Sequence, residues 1–327
     1  MAVGVDAVPG RGVGDPVFFT DRPSKGPNTP SRSTGEDAAR EDWVSTGANT
    51  RTEEPTMSLT FWKLTGAGND FIVINNMDGR IKDDVEARRA LVRRLCARRV
   101  GVGADGLLLA EPSDRASFRM RYYNRDGGEA ETCGNGARCI ARFATLQGLA
   151  GEEMEFETKA GLYRATVLPD SAIVSMGEAH SLRLDIPIEV DGLFRGPVDF
   201  VNTGVPHVVV RVENLDGTAV SELGRAIRRH ERFAPAGANV NFIEFVGENL
   251  LSIRTYERGV EDETLACGTG AIASAVVASR RGLASSPVRL STRSGEALTV
   301  RFEPTDDGAR EVSLEGEARV VFRGEIA

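Results

Sequence analysis

Two cysteines of this 327-residue chain stand in the same local frame, Cys133-Gly-Asn-Gly-Ala and Cys267-Gly-Thr-Gly-Ala, each ahead of an apolar run with helical spacing. A side chain at the start of a helix meets free backbone N–H groups and the positive end of the helix dipole. A thiol placed there is expected to have a lowered pKa and a larger thiolate fraction. The glycines allow close backbone approach, and the N–H groups can hold a carboxylate. One such turn fits a small buried thiol as well as a reactive one. Two of them can put an acid–base group on each face of one carbon, which is what stereoinversion requires: one group removes a proton and the other delivers one from the opposite side.

Other chemistries fit these residues less well. Neither turn ends in the Gly-Lys-Ser/Thr of a phosphate loop. The four cysteines and three histidines show no Cys-x2-Cys or His-x3-His spacing, so no metal site is expected. A dithiol redox pair normally lies close in sequence, whereas Cys133 and Cys267 are 134 positions apart. Cys139 and Cys96 read as helix packing.

The elements that must position the pair follow from an internal repeat. Across Cys133–Leu149 and Cys267–Leu283, eight of seventeen positions are identical at an offset of 134. Thr158-Lys-Ala-Gly161 matches Thr292-Arg-Ser-Gly295, and Gly103-Ala-Asp105 matches Gly237-Ala-Asn239, at the same offset. Tyr123-Asn-Arg125 matches Tyr256-Glu-Arg258 with one residue of slip. Strands are expected at 71–74, 106–109, 118–122 and 154–158, and at 208–212, 241–245 and 251–256. An amphipathic helix is expected over Glu86–Arg99. Ala271–Ser279 is apolar nearly all round and should be enclosed on every side. The predicted fold is α+β: two homologous, pseudo-symmetric domains, each a mostly antiparallel sheet or barrel wrapped around a central helix. Their expected limits are 57–175, with 314–327 returning to it, and 176–313.

Residues 1–56 carry six of the fourteen prolines and show no apolar period beyond Gly10. They read as a disordered extension or, alternatively, as sequence upstream of a true start at Met57. A net charge of −8 and a pI near 5.2 argue against nucleic acid or an anionic membrane as partner. No apolar run is long enough to span a bilayer, and the N-terminus lacks a signal-peptide pattern, so a cytoplasmic protein is expected.

Over about 57–327 the chain resembles the diaminopimelate epimerase family. The resemblance rests on Gly66-Ala-Gly-Asn-Asp-Phe71, Asn124-x-Asp-Gly127, Cys133-Gly-Asn-Gly-Ala-Arg-Cys139, Pro206-His207, Asn239-Val-Asn241, Tyr256-Glu-Arg-Gly259 and Ala266-Cys-Gly-Thr-Gly-Ala271. It implies interconversion of LL- and meso-2,6-diaminopimelate in lysine and peptidoglycan precursor synthesis, without cofactor or metal, by a homodimer. It further implies Cys133 and Cys267 as proton donor and acceptor, with His207 and Glu257 tuning the thiols. Gly134, Asn135, Gly268 and Thr269 would hold the reacting carboxylate. Asn69, Asn124, Asn239, Glu257 and Arg258 would bind the polar ends, Arg258 being suited to the distal carboxylate. Three positions depart from the family pattern: Thr65 where His is common, Val205 where Asn is common, and Gly106 where some members carry Gln. A proline or hydroxyproline racemase of the same fold is the nearest rival. Those relatives typically have Cys-Gly-His-Gly at the first thiol and lack Tyr-Glu-Arg-Gly. A non-catalytic binding protein on the same fold would be expected to have lost a thiol.

Overall fold

The computed structural model describes residues 58–131, 133–190 and 192–326. The expected disorder of residues 1–56 lies outside them.

The first half runs β1 (Leu59–Gly66), β2 (Asn69–Asn75), α1 (Val85–Cys96), β3 (Gly106–Glu111), β4 (Arg119–Asn124), β5 (Glu129–Ala130), α2 (Gly134–Leu146), β6 (Glu153–Thr158), β7 (Gly161–Val167), β8 (Ser171–Ser175) and β9 (His180–Val190). The second half repeats that order: β10 (Phe194–Asn202), β11 (Pro206–Arg211), α3 (Val220–Arg228), β12 (Asn239–Gly247), β13 (Leu250–Glu257), β14 (Asp262–Thr264), α4 (Gly268–Arg280), β15 (Val288–Ser291), β16 (Ala297–Thr305), β17 (Gly308–Glu317) and β18 (Arg319–Ile326). Pairing repeats as well. β2–β3 and β11–β12 are parallel, as are β4–β6 and β13–β15, and the hairpins between them are antiparallel. The last strand of each half crosses to the other: β9 pairs with β10, and β18 returns to β1. β8 and β17 pair antiparallel and join the two halves into one continuous sheet.

The two helices that follow the cysteines are enclosed as their composition requires. α2 touches β1, β2, β3, β4, β7, β8 and β17, and α4 touches β10 through β13 and β15 through β17. In α4, Gly270 through Ala278 are all buried; its alanine, serine and valine side chains are short enough for strands to approach from every direction. Both helices end alike. Gly148 and Gly282 take left-handed backbone (φ 69° in each), and the next N–H reaches back five residues, Leu149 to Ala144 and Leu283 to Ala278, each at 2.9 Å. The repeated Gly-Leu is thus a helix stop.

α1 is capped by Asp84, whose carboxylate accepts from the Ala87 N–H at 2.7 Å, and it buries Arg88, Val92, Leu95 and Cys96 along one face. It ends three residues before the expected Arg99. Ala97 is already extended, and the Gly103 and Ala104 N–H groups take the carbonyls of Leu95 and Cys96. No helix among the described residues is long and apolar enough to cross a membrane.

Candidate active site

Cys133 and Cys267 occupy the N-cap positions of α2 and α4, both with extended backbone, and both are free thiols. The two helix starts converge on one side chain. A Cβ added at Gly134 would lie 3.4 Å from Leu314 Cδ2, and one added at Gly268 would lie 2.9 Å from the same methyl. Each sulfur sits in the electrostatic field of its neighbours across the halves: Cys133 acts on Cys267, and the Glu257 carboxylate acts on both. The fold therefore brings together the two thiols that the repeat singles out.

The expected sign of the thiol pKa shift is overturned. Burial pushes both thiols up, and it outweighs the helix starts. The N–H groups do act in the expected direction: those of Gly136 and Asn135 on Cys133, and that of Gly270 on Cys267, joined by the Thr269 hydroxyl at 3.4 Å. Cys96 and Cys139 are buried in packed positions and are pushed up to about 12, again by burial.

Glu257, at the end of β13, accepts from the Thr264 hydroxyl at 2.5 Å and from the Cys267 thiol. Burial raises its carboxyl, and those two bonds partly offset the rise. His207, expected to tune a thiol, is fully buried, and its hydrogen-bonding neighbours are the side chains of Asn239 and Asn241. Its Nδ1 accepts from Asn241 Nδ2 at 3.1 Å. That amide is fixed in orientation because its Nδ2 also donates to Val208 O while its Oδ1 accepts from Thr255.

Burial, followed by the nearby Arg258 charge, holds His207 at about 3 against an ordinary 6.5. Because the folded pKa is the lower one, the unfolded chain binds more protons between these values. This contribution to stability is complete well above pH 6.5 and is lost as pH falls toward 3, by on the order of 5 kcal/mol. Urea unfolding at pH 7 and pH 5 should show this slope, and His207→Gln should flatten it by about one proton. An unchanged slope would assign the acid sensitivity elsewhere.

The asparagines divide. Asn69 and Asn135 meet at 2.7 Å beside the first helix start. Asn239 is committed to scaffolding: its Oδ1 accepts from the Arg258 N–H at 2.8 Å, and its amide nitrogen faces Pro206 O and His207. Asn124 is exposed at the end of β4 and accepts from the Tyr122 hydroxyl at 2.7 Å. Arg258 is half-buried. Its guanidinium reaches only the carbonyls of Ala236 and Gly237, at 3.3 and 3.5 Å, and no carboxylate within salt-bridge distance among the described residues.

Tyr122 was not among the expected residues. It lies on the face of β4 that Asn124 shares, and both Cys133 and Glu257 add to the burial that raises its phenol. Two-residue strand spacing back from Asn124 was the available signal. Its ring also accounts for Gly106, where an added Cβ would lie 2.7 Å from Tyr122 Cε2. Thr65 donates to Asn69 O at 3.0 Å, and Val205 O accepts from the Thr203 N–H at 3.1 Å.

Gly270 is indispensable for a steric reason. A Cβ there would sit 2.2 Å from Asn241 Oδ1, within the buried Asn241–Thr255–His207 network. Gly270→Ala should lower stability by about 2–4 kcal/mol in urea unfolding. A loss below about 0.5 kcal/mol would show that Asn241 can move without penalty.

The sequence model of one family, described as diaminopimelate epimerase, matches residues 61–182 and 200–321. The chain is 44% identical over 283 residues to the diaminopimelate epimerase of Aquifex aeolicus, covering 82% of this chain and 98% of that protein. It is 45% identical over 269 residues to that of Chlorobaculum tepidum, covering 80% and 99%. Among solved structures, a PhzF-family phenazine biosynthesis protein of Bacillus anthracis aligns with TM-score 0.64 at 16% identity, covering 83% and 99%. A hydroxyproline epimerase from Agrobacterium vitis aligns with TM-score 0.62 at 17% identity, covering 83% and 93%. At those identities the structural likeness speaks for the fold alone.

Proposed function

The chain belongs to the diaminopimelate epimerase family, and from that premise we propose how its residues interconvert LL- and meso-diaminopimelate. The reaction class is cofactor-independent isomerisation at an α-carbon. Cys133 and Cys267 exchange roles with direction: the thiolate on one face removes the α-proton, and the thiol on the other delivers its own. The observation that carries this reading is the convergence of two thiol-bearing helix starts on Leu314, one from each half.

Each remaining residue has a role set by its surroundings. The helix starts at Gly134-Asn135 and Gly268-Thr269 face the charge that grows on the α-carboxylate as the proton leaves, where oriented N–H dipoles stabilise it. Burial raises the thiols, and binding of the substrate's ammonium beside them favours the thiolate again. Glu257 accepts the Cys267 S–H and fixes the direction of that proton. His207 acts through Asn239 and Asn241, which shape the floor under α4. Asn69, Asn135 and Asn124 meet the substrate's polar groups. The Arg258 fork, which meets two carbonyls and no carboxylate among the described residues, takes the distal carboxylate, which favours a dicarboxylate over the monocarboxylates proline and hydroxyproline.

The domain limits are 57–175, joined by 314–327, and 176–313; the pairing of β18 with β1 supports them. The protein acts as a cytoplasmic homodimer in lysine and peptidoglycan precursor synthesis. Sedimentation of the purified chain measures the assembly. The activity is tested by incubating that chain with LL-diaminopimelate, without added cofactor, and separating the stereoisomers; absence of meso product would reject it.

A further inference from the structure

Arg138 is the largest side chain in the described protein that solvent does not reach. It lies one turn into α2 beyond Cys133. Nη2 donates to Asn135 Oδ1 at 2.8 Å and Nη1 to Gly134 O at 3.3 Å, while Nε has no partner. Among the described residues no carboxylate lies within salt-bridge distance of it. Glu296, the carboxylate whose field it feels, accepts the Ala67 N–H instead. A buried guanidinium without a counter-ion costs several kcal/mol. The fold does not require that cost, since the repeat places Ile272 at the corresponding position of α4.

The charge imposes a direction on its neighbours. Guanidinium is only a donor, so Asn135 must present its oxygen to it and turn its nitrogen to Asn69. Asn69 then donates to Asp105 Oδ2 at 3.1 Å, and Arg98 holds the other oxygen of Asp105 at 2.9 Å. The relay begins at a cation, ends at a carboxylate, and has one orientation. The second half has Thr269 at the position of Asn135, and strand register places Pro206, which has no side-chain polar group, at the position of Asn69; the turn residue Thr203 donates its hydroxyl to Thr269 O at 3.3 Å, with no charge behind it.

The surroundings of the two sulfurs differ accordingly. Around Cys133 stand Arg138 and Cys139 from α2, Tyr122 from β4, Glu257 from β13 and Cys267 from α4. Around Cys267 stand Glu257, which accepts its S–H, and Cys133. We propose that Arg138 is a positioning residue that makes the two thiols unequal. Its uncompensated charge, together with the Asn135–Asn69–Asp105 relay it orients, makes Cys133 the first of the pair to ionise when substrate binds and leaves Cys267, bonded to Glu257, as the thiol. This rests on the two-thiol reading above. With substrate bound, the Cys133 thiolate accepts the α-proton as the C–H bond breaks and an S–H bond forms, and the S–H proton of Cys267 passes to the opposite face of the carbon.

The test is to titrate each thiol in the full chain. Iodoacetamide labelling across a pH series is read peptide by peptide, and thiolate ultraviolet absorbance is followed in parallel because it does not depend on reagent access. The midpoint of Cys133 should lie below that of Cys267. Arg138→Met should raise the Cys133 midpoint by about one unit, a ten-fold loss of thiolate at fixed pH, with Cys267 little changed. Arg138→Lys should restore part of the difference. If Arg138→Met does not fold, Glu257→Gln reads the same gap from the other side: the Cys267 midpoint should fall toward that of Cys133. A Cys267 midpoint below that of Cys133 in the unaltered chain would overturn the proposal. So would midpoints that stay in place in Arg138→Met or, where that variant fails to fold, in Glu257→Gln. Epimerisation surviving in a Cys133→Ala or Cys267→Ala variant would instead reject the underlying two-thiol reading.

Discussion

Replacing either Cys133 or Cys267 by alanine is expected to remove epimerisation, with kcat/KM falling by about a thousand-fold or more. One face of the α-carbon then has no proton donor. The other thiol still flanks the substrate, because each sulfur is placed by its own helix start and neither helix depends on the other's cysteine for capping. Each variant should therefore exchange the α-proton of one stereoisomer with heavy water, slowly and without inversion, and the two variants should select opposite isomers. The measurement is deuterium incorporation by mass spectrometry together with chiral separation of the product. Inversion near the unaltered rate in either variant would end the two-thiol mechanism.

Arg258→Met should lower kcat/KM for diaminopimelate by about 100-fold, chiefly through KM. A charge-assisted, two-pronged bond to the distal carboxylate is made equally in the ground and transition states, so its loss weakens binding more than turnover. The structure leaves that guanidinium with two long carbonyl contacts and no carboxylate, and Asn239 fixes the backbone beneath it. Substrate truncation gives the control. An analogue lacking the distal carboxylate should lose a similar factor with the unaltered chain and little more with Arg258→Met. Equal losses in both proteins would move the distal carboxylate to another group.

The chemistry of this protein was legible because duplication writes it twice. Cys-Gly-x-Gly-Ala recurs ahead of two helices, and the second is so uniformly apolar that only full enclosure satisfies it; α4 is enclosed in that way. The stop of each helix was present in the repeated Gly-Leu. The end of α1 was harder to read, since Ala97-Arg98-Arg99 has no helix-breaking residue and the carbonyls of Leu95 and Cys96 are taken by Gly103 and Ala104, each eight residues downstream.

The sequence by itself determined the two thiols, the repeat, the buried helices and the family, because each is written in residue type and spacing along one dimension. Tertiary structure decided the quantities that depend on what surrounds a group. A helix start predicts a lowered thiol pKa, yet enclosure by strands from both halves pushes Cys133 and Cys267 up, because the loss of water around a charge outweighs a few N–H dipoles. Histidine at 207 has an ordinary pKa in isolation; burial beside Asn239 and Asn241 of β12 holds it neutral. Asn124 and Asn239 were indistinguishable as letters, and only the fold turned one to solvent and the other inward. The return of β18 to β1 and the pairing of β17 with β8, which sets Leu314 between the two cysteine helices, involve partners more than a hundred residues apart and have no local signature.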